Sequence, residues 1–77
     1  MSHEKEEKDE KYEGIIAALE YAMLTGQSVN VGLNRGAGVK IEGIIKEVDE
    51  NSFHILLDET GEIDTVAVSE VEYVEYS

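Results

Sequence analysis

Hydrophobic residues follow two different periods along this chain, and the change from one to the other falls near Gly26. Before it, apolar side chains recur at intervals of three and four residues, which is the spacing of one face of an α-helix. They are Tyr12, Ile15, Ile16, Leu19, Ala22 and Met23. The spacing predicts a helix over about residues 10–24, and Gly26 stands where a left-handed residue would end it.

After Gly26 the apolar residues alternate with polar ones, as they do in strands that bury one face. Val29, Val31 and Leu33 form the first such run, and the sequence NRGAG after it predicts a turn. The second run, VKIEGIIKEV, changes its apolar face. Its residues on one face are Val39, Ile41, Gly43 and Ile45, and those on the other are Ile44 and Val48. We therefore predict a bend or bulge at Gly43, where the missing side chain permits it.

The remaining sequence predicts three more strands. DENS forms a turn before Phe53, Ile55 and Leu57, whose common phase assigns Phe53 to the core. DETGEID forms the next turn, and TVAVSEVEYVEY divides into two short strands at Ser69 and Glu70. The predicted fold class is mainly β with one N-terminal helix: a small, strongly bent five-stranded antiparallel barrel of the SH3-like kind, with its strands over about residues 28–76.

Charge is the strongest feature of the composition. Eighteen Asp and Glu stand against six Lys and Arg in 77 residues, for a net charge of −12. Such a chain repels nucleic acids and anionic membranes at long range. We interpret residues 1–9 as a charged, flexible tail and residues 10–77 as the folded domain. The charged N-terminus and the lack of a long apolar run predict a cytoplasmic protein without a membrane partner, and the absence of Cys fits a reducing compartment.

The second and third runs resemble the first sequence motif of the Sm, LSm and Hfq family. That motif runs from Gly through an apolar residue and a second Gly to an Asp, and closes with a Met-Asn pair before an apolar strand. The matching residues are Gly38, Ile41, Gly43, Ile45, Val48 and Asp49, then Phe53 and His54 at the Met-Asn positions, then Ile55 to Leu57. The resemblance implies the Sm-like fold, a homo-oligomeric ring of about five to seven protomers joined through their fourth and fifth strands, and single-stranded RNA as ligand.

The sequence departs from the family pattern at two places. The segment from Asp49 to Phe53 is one residue longer than the usual motif. The second family motif has Arg-Gly or Lys-His, whereas Val68 to Glu70 reads VSE here. The family's cation for bases or phosphates is therefore missing from this position.

Candidate nucleic-acid contacts fall in and beside the DENS turn. They are Lys46, Asp49, Asn51, Ser52 and His54. Asn and His side chains can hydrogen-bond base edges, and an imidazole can also stack on a base. The plainer interpretation is that Asn51 and Ser52 form the turn and His54 is the outward residue of a strand.

The three cations of the predicted strands are a second candidate site. Arg35, Lys40 and Lys46 are the only Lys or Arg residues after Lys11, and they form either a small basic patch or solvated pairs with acids such as Glu42 and Glu47.

No nucleophile arrangement, phosphate loop, His cluster or calcium loop appears, so we expect no enzyme activity, catalytic residue, metal or cofactor. The leading hypothesis is an Sm-like ring that binds single-stranded RNA in RNA metabolism or regulation. The alternative is an acidic oligomeric scaffold that binds a basic protein or peptide, with the RNA site lost. A third is a monomeric SH3-like barrel.

Overall fold

The protein is a helix followed by a bent sheet of five strands. A computed structural model describes residues 3–36 and 38–76, and for residues 3–9 it describes the backbone alone. Helix α1 spans His3–Thr25. The strands are β1 (Ser28–Leu33), β2 (Lys40–Val48), β3 (Ser52–Leu57), β4 (Ile63–Ala67) and β5 (Val71–Tyr76), and a single turn of 3-10 helix, Val68–Glu70, joins the last two. The predicted fold class is confirmed.

All neighbouring strands of the sheet are antiparallel, in the order β4-β3-β2-β1-β5. Sequential hairpins build the first four strands, and β5 then returns to pair with β1, so that Val31 lies opposite Val74. The strands β4 and β5 each pair on one side only, which leaves their outer backbone edges unpaired in the described chain.

The core lies between the inner face of the sheet and helix α1. Leu19 and Ala22 supply the helix side, and Phe53 is the largest fully buried side chain. The other buried apolar residues come from every strand and from the 3-10 helix: Val29, Val31, Leu33, Ile45, Ile55, Val66, Val68 and Val71. No polar or charged side chain of the described residues is buried with them. The helical stripe and the core position of Phe53 are thus as predicted.

The bulge in β2 lies three residues beyond its predicted position. The register with β3 shifts between Ile45 and Glu47, so the bulge falls at Lys46 and not at Gly43. Because the extra residue restores the phase, Val48 packs against the same core as Ile45, so the change of buried side that the sequence predicted within this strand is confirmed, with the bulge as its cause. Gly43 serves a different purpose, since a Cβ there would overlap the carbonyl oxygen of Leu56 on β3.

Helix α1 is longer than its apolar stripe. It begins at His3, so residues 3–9 have helical backbone where the sequence indicated a tail. Glu and Lys are good helix formers, and neither Gly nor Pro interrupts this segment, but a helix without an apolar face carries no periodic signal. The flexibility of residues 1–9 stays a prediction. At the other end Gly26 has φ of 71°, and its N–H donates to the Ala22 carbonyl at 2.9 Å, the predicted left-handed cap.

Candidate functional site

The 3-10 helix is the point at which two hairpin turns meet. The N–H of Val68 donates to the carbonyl of Asn51 in the β2–β3 turn at 2.9 Å. The N–H of Asn34, just after β1, donates to the carbonyl of Glu70 at 2.8 Å. These bonds place the VSE segment between the DENS turn and the end of the β1 strand, so residues from three loops share one region.

Helix α1 fastens the DENS turn to this region through Tyr12. The Tyr12 hydroxyl donates to the carbonyl of Glu50 at 2.7 Å, and the Oδ1 atom of Asn51 lies 3.2 Å from the same hydroxyl. Within the turn, the N–H of Asp49 donates to the carbonyl of Ser52 at 2.8 Å. The contact with Tyr12 involves only the Oδ1 atom of Asn51, so it positions the side-chain amide and does not use the Nδ2 donors.

A groove of about 290 Å³ opens between helix α1 and the 3-10 helix. Its lining residues are Lys11, Tyr12, Ile15, Asn34, Val68, Ser69, Val71 and Glu72. Lys11 brings a cation from the helix to the groove that the VSE segment lines. Asn34 and Ser69 offer an amide and a hydroxyl, and Glu72 adds one carboxylate to the lining. Lys11 and the hydrogen-bonding groups suit the anionic part of a ligand, the apolar side chains suit a flat apolar part, and Glu72 opposes an anion at its own end of the groove.

Arg35 is bound to the third residue of the VSE segment. Its Nη2 and Nε atoms donate to Glu70 Oε1 at 2.6 and 3.0 Å. Both side chains are substantially exposed, so water screens the pair and its contribution to stability is small, about 0–1 kcal/mol. For Arg35 this is the second of the two alternatives that the sequence left open, a pair with an acid, and the acid is Glu70.

The predicted contacts around His54 do not form one cluster. Phe53 and Ile55 face the core, so His54 between them faces the other side of the sheet, where its Nδ1 lies 3.8 Å from Glu47 Oε1. Asn51, by contrast, is turned to the helix. No hydrogen bond or ion pair in the described part of the chain joins the two side chains.

The other three predicted residues are divided between the turn and the strands beside it. Lys46 is exposed at the bulge of β2, and Asp49 is exposed in the turn. Ser52 is half-buried as the first residue of β3, opposite Ala67. Their nucleic-acid roles remain predictions.

Lys40 lies in a second groove, of about 370 Å³. The lining residues are Asn30, Lys40, Ile41, Glu42, Leu57, Asp58 and Glu59. Three of them are carboxylates, and Asp58 also accepts a hydrogen bond from Ser28 Oγ at 3.1 Å. Since Arg35 is paired with Glu70 and Lys40 lies among acids, the residues that the structure describes around these two cations do not form a basic patch. The acidic groove disfavours an anionic ligand.

Sequence reasoning missed Lys11, Tyr12, Asn34 and Ser69 as site residues. Tyr12 belongs to the core stripe of the helix and Lys11 to the charged N-terminal run, so neither is distinguished locally. Tyr12 contacts the DENS turn at residues 38 and 39 positions later in the chain, a distance at which local sequence gives no signal. The absent cation in VSE was the one available signal, because it raised the question of what supplies charge there.

Comparison with known proteins identifies the fold. No protein-family model matches the chain, and no curated protein does. The crystal structure of the pleiotropic translational regulator Hfq is similar, with a TM-score of 0.66 and 19% identity over 77% of this chain and 92% of that one. The proteasome accessory factor B/C (PafBC) of Arthrobacter aurescens is similar with a TM-score of 0.70 and 14% identity, over 87% of this chain but 12% of that one.

The class of protein follows from the fold: this chain has the Sm-like fold, with one N-terminal helix and five antiparallel strands. The resemblance found in the sequence motif is therefore confirmed at the level of fold. The two similar structures are those of a translational regulator and of a proteasome accessory factor, and the fold alone does not choose between such functions. In the described part of the chain, no helix is long and apolar enough to cross a membrane.

Proposed function

We propose that copies of this chain assemble into a ring through β4 of one and β5 of the next, and that the ring binds single-stranded RNA in the groove beside the 3-10 helix. The observation that carries the proposal is the sheet order, in which β4 and β5 stand at opposite ends with unpaired outer edges. Pairing such edges head to tail satisfies both, and a rotation that closes yields a ring. The family resemblance implies about five to seven copies.

RNA binding is supported by what each copy brings to the groove. Lys11 suits a phosphate oxygen, and Asn34 and Ser69 carry groups that hydrogen-bond base edges or sugar hydroxyls. Asn51, which contacts the Tyr12 hydroxyl of the groove lining, adds an amide beside it. A ring repeats this set once per copy, so weak single contacts add by avidity. The net charge of −12 per chain opposes the approach of RNA, and we therefore expect modest affinity that falls steeply as salt increases.

The proposed activity of the ring is binding and not catalysis, and we place it in RNA metabolism or regulation in the cytoplasm. The ring is tested first by its mass. Native mass spectrometry at micromolar concentration should show one oligomer whose mass is a whole multiple of the 8.5 kDa chain. A chain that remains an 8.5 kDa monomer at these concentrations would contradict the ring.

The RNA half is tested by fluorescence anisotropy with labelled oligouridine and oligoadenine at about 50 mM salt. Lys11→Gln should weaken binding about tenfold, because each copy loses a charge-assisted phosphate contact. Lys40→Gln makes the same change of charge in the acidic groove and should leave affinity nearly unchanged. Equal effects of the two substitutions would show that Lys11 acts only through net charge, and no binding by the wild type would reject RNA as ligand.

The acidic surface favours one alternative, a ring that binds a basic protein or peptide. A basic ligand would fit the groove around Lys40 better than the groove beside the 3-10 helix, because Glu42, Asp58 and Glu59 line it. Titration with an oligolysine peptide distinguishes the two. Tight peptide binding without RNA binding favours the scaffold, and RNA binding sensitive to Lys11→Gln favours the first proposal.

A further inference from the structure

Gly32, the last residue but one of β1, has no backbone reason to be glycine. Glycine inside a strand weakens it, so its presence calls for an explanation. The residues with positive φ are Gly26, Gly36, Gly38 and Gly61, and Gly32 is not among them. Any L-residue could therefore adopt its backbone conformation.

The explanation lies on the neighbouring strand β5. Gly32 stands opposite Tyr73, and a Cβ on Gly32 would lie 2.6 Å from Cδ2 of the tyrosine and overlap its Cε2 and Cζ atoms. The ring thus rests on the Cα atom of Gly32, on the side of the sheet away from the core. Gly32 is buried by this contact, while Tyr73 remains 43% exposed. We call this pair of residues the Gly32–Tyr73 seat.

The opposite edge of the sheet carries a matching apolar surface. Val66 faces the core, so the alternate residues of β4, Ile63, Thr65 and Ala67, lie on the outer face, and none of them is charged. Ile63 is 57% exposed. Antiparallel pairing of β4 with β5 of a second copy can place every residue of β4 opposite β5 in two registers. The one that keeps the outer faces of both strands on the same side of the sheet sets Thr65 opposite Tyr73. Ile63 and Ala67 then lie diagonally on either side, within reach of an aromatic ring.

Electrostatics cannot hold such a seam. Asp64 on β4 and Glu72 and Glu75 on β5 are all acidic, and neither strand has a Lys or Arg. Like charges oppose the approach, so side-chain attraction between the two edges has to come from apolar contact. The other large apolar residues exposed in the described chain are placed differently. Tyr76 ends β5 but is turned to the helix, where its ring contacts Tyr21 and its hydroxyl donates to the Ala18 carbonyl; Leu24 lies in the last turn of the helix, and Val39 lies in the first hairpin.

From these observations we propose that the Gly32–Tyr73 seat is the surface on which the outer face of β4 from a second copy packs. The inference rests on the proposed ring and names the side chains that join it. Gly32 has the role of keeping the Tyr73 ring over β1, because a side chain at position 32 would push the ring toward the edge that β4 must approach.

The test compares assembly of Tyr73→Ser, Ile63→Ser and the control Leu24→Ser, which removes a still more exposed apolar side chain from a position on neither edge. Native mass spectrometry over a dilution series gives the concentration at which half of the chains are assembled. We expect this concentration to rise at least about tenfold for the two edge variants and to stay unchanged for the control. Tyr73→Phe keeps the ring and should assemble as the wild type does.

Gly32→Ala adds a test of the seat itself. Alone it should weaken assembly, but added to Tyr73→Ser it should have no further effect, because the ring it displaces is gone. Circular dichroism checks that each variant folds, and if Tyr73→Ser does not, Ile63→Ser tests the seam from the other strand. A wild-type ring that Ile63→Ser and Tyr73→Ser leave intact would overturn this inference and spare the ring, whereas a monomeric wild type would remove both.

Discussion

The inner face of the sheet is covered by residues of the same chain, whereas its two edge strands keep unpaired backbone groups and exposed apolar side chains. On the inner face, Leu19 and Ala22 of the helix cover the strands, and no polar side chain of the described residues is buried there. At the edges, β4 and β5 offer unpaired backbone and the exposed side chains of Ile63 and Tyr73. Packing of the inner face therefore stabilises the fold of one chain, whereas the two edge strands are suited to association with another chain. Substitutions should therefore separate stability from assembly.

The largest effect should come from Phe53→Ala on the inner face. Phe53 is fully buried, so its truncation removes apolar burial and leaves a cavity, at a cost of about 3–5 kcal/mol in the free energy of unfolding. A chain of this size has only about 4–12 kcal/mol in all. Urea unfolding followed by circular dichroism measures the loss. His54→Ala, the next residue on the opposite face, is the control and should cost less than about 1 kcal/mol.

A smaller and more specific effect should come from Gly43→Ala. Its Cβ would overlap the backbone of Leu56, which cannot move without separating β2 from β3, so we expect a loss of about 1–3 kcal/mol. The same substitution at Gly14, in the helix with no atom within 4 Å of the new methyl group, should stabilise by about 0.5–1 kcal/mol. Thermal unfolding of both variants checks the opposite signs. Equal shifts in the melting temperature would contradict the close approach at Gly43.

The edges should respond to salt in the opposite sense to the RNA groove. Because β4 and β5 carry acids and no cation, screening removes repulsion across the seam, and raising salt from about 50 to about 500 mM should strengthen assembly several-fold. RNA affinity should fall over the same range, since phosphate contacts release counterions. Dilution series by native mass spectrometry and by anisotropy measure the two trends. Assembly that weakens as salt increases would show that ion pairs hold the seam.

Much of the fold was predictable because burial on one side leaves a period in the sequence. The helical stripe from Tyr12 to Met23 and the strand around Phe53 and Ile55 were recognised in this way and are confirmed. The VSE segment was placed correctly as the break between the last two strands. Where no side is buried the signal is absent, which is why the helix start at His3 was missed.

The candidate site was much less predictable. The sequence selected Asn51 and His54 as neighbours along the chain, yet Asn51 is turned to the helix and His54 to the outer face of the sheet. The bulge at Lys46 also escaped prediction, since a shift of register depends on the partner strand as much as on the strand itself.

By itself, then, the sequence determined the elements, their order and the residues of the core, since these follow from local periodicity and turn chemistry. Only the tertiary structure decided which polar groups meet. It brought Lys11 of the helix to the groove beside Ser69 and joined Arg35 to Glu70, 35 residues later. It also placed the Tyr73 ring over Gly32. The physical reason is that exposed polar and aromatic side chains leave no period, and their partners are chosen by how the sheet bends and where β5 returns to β1.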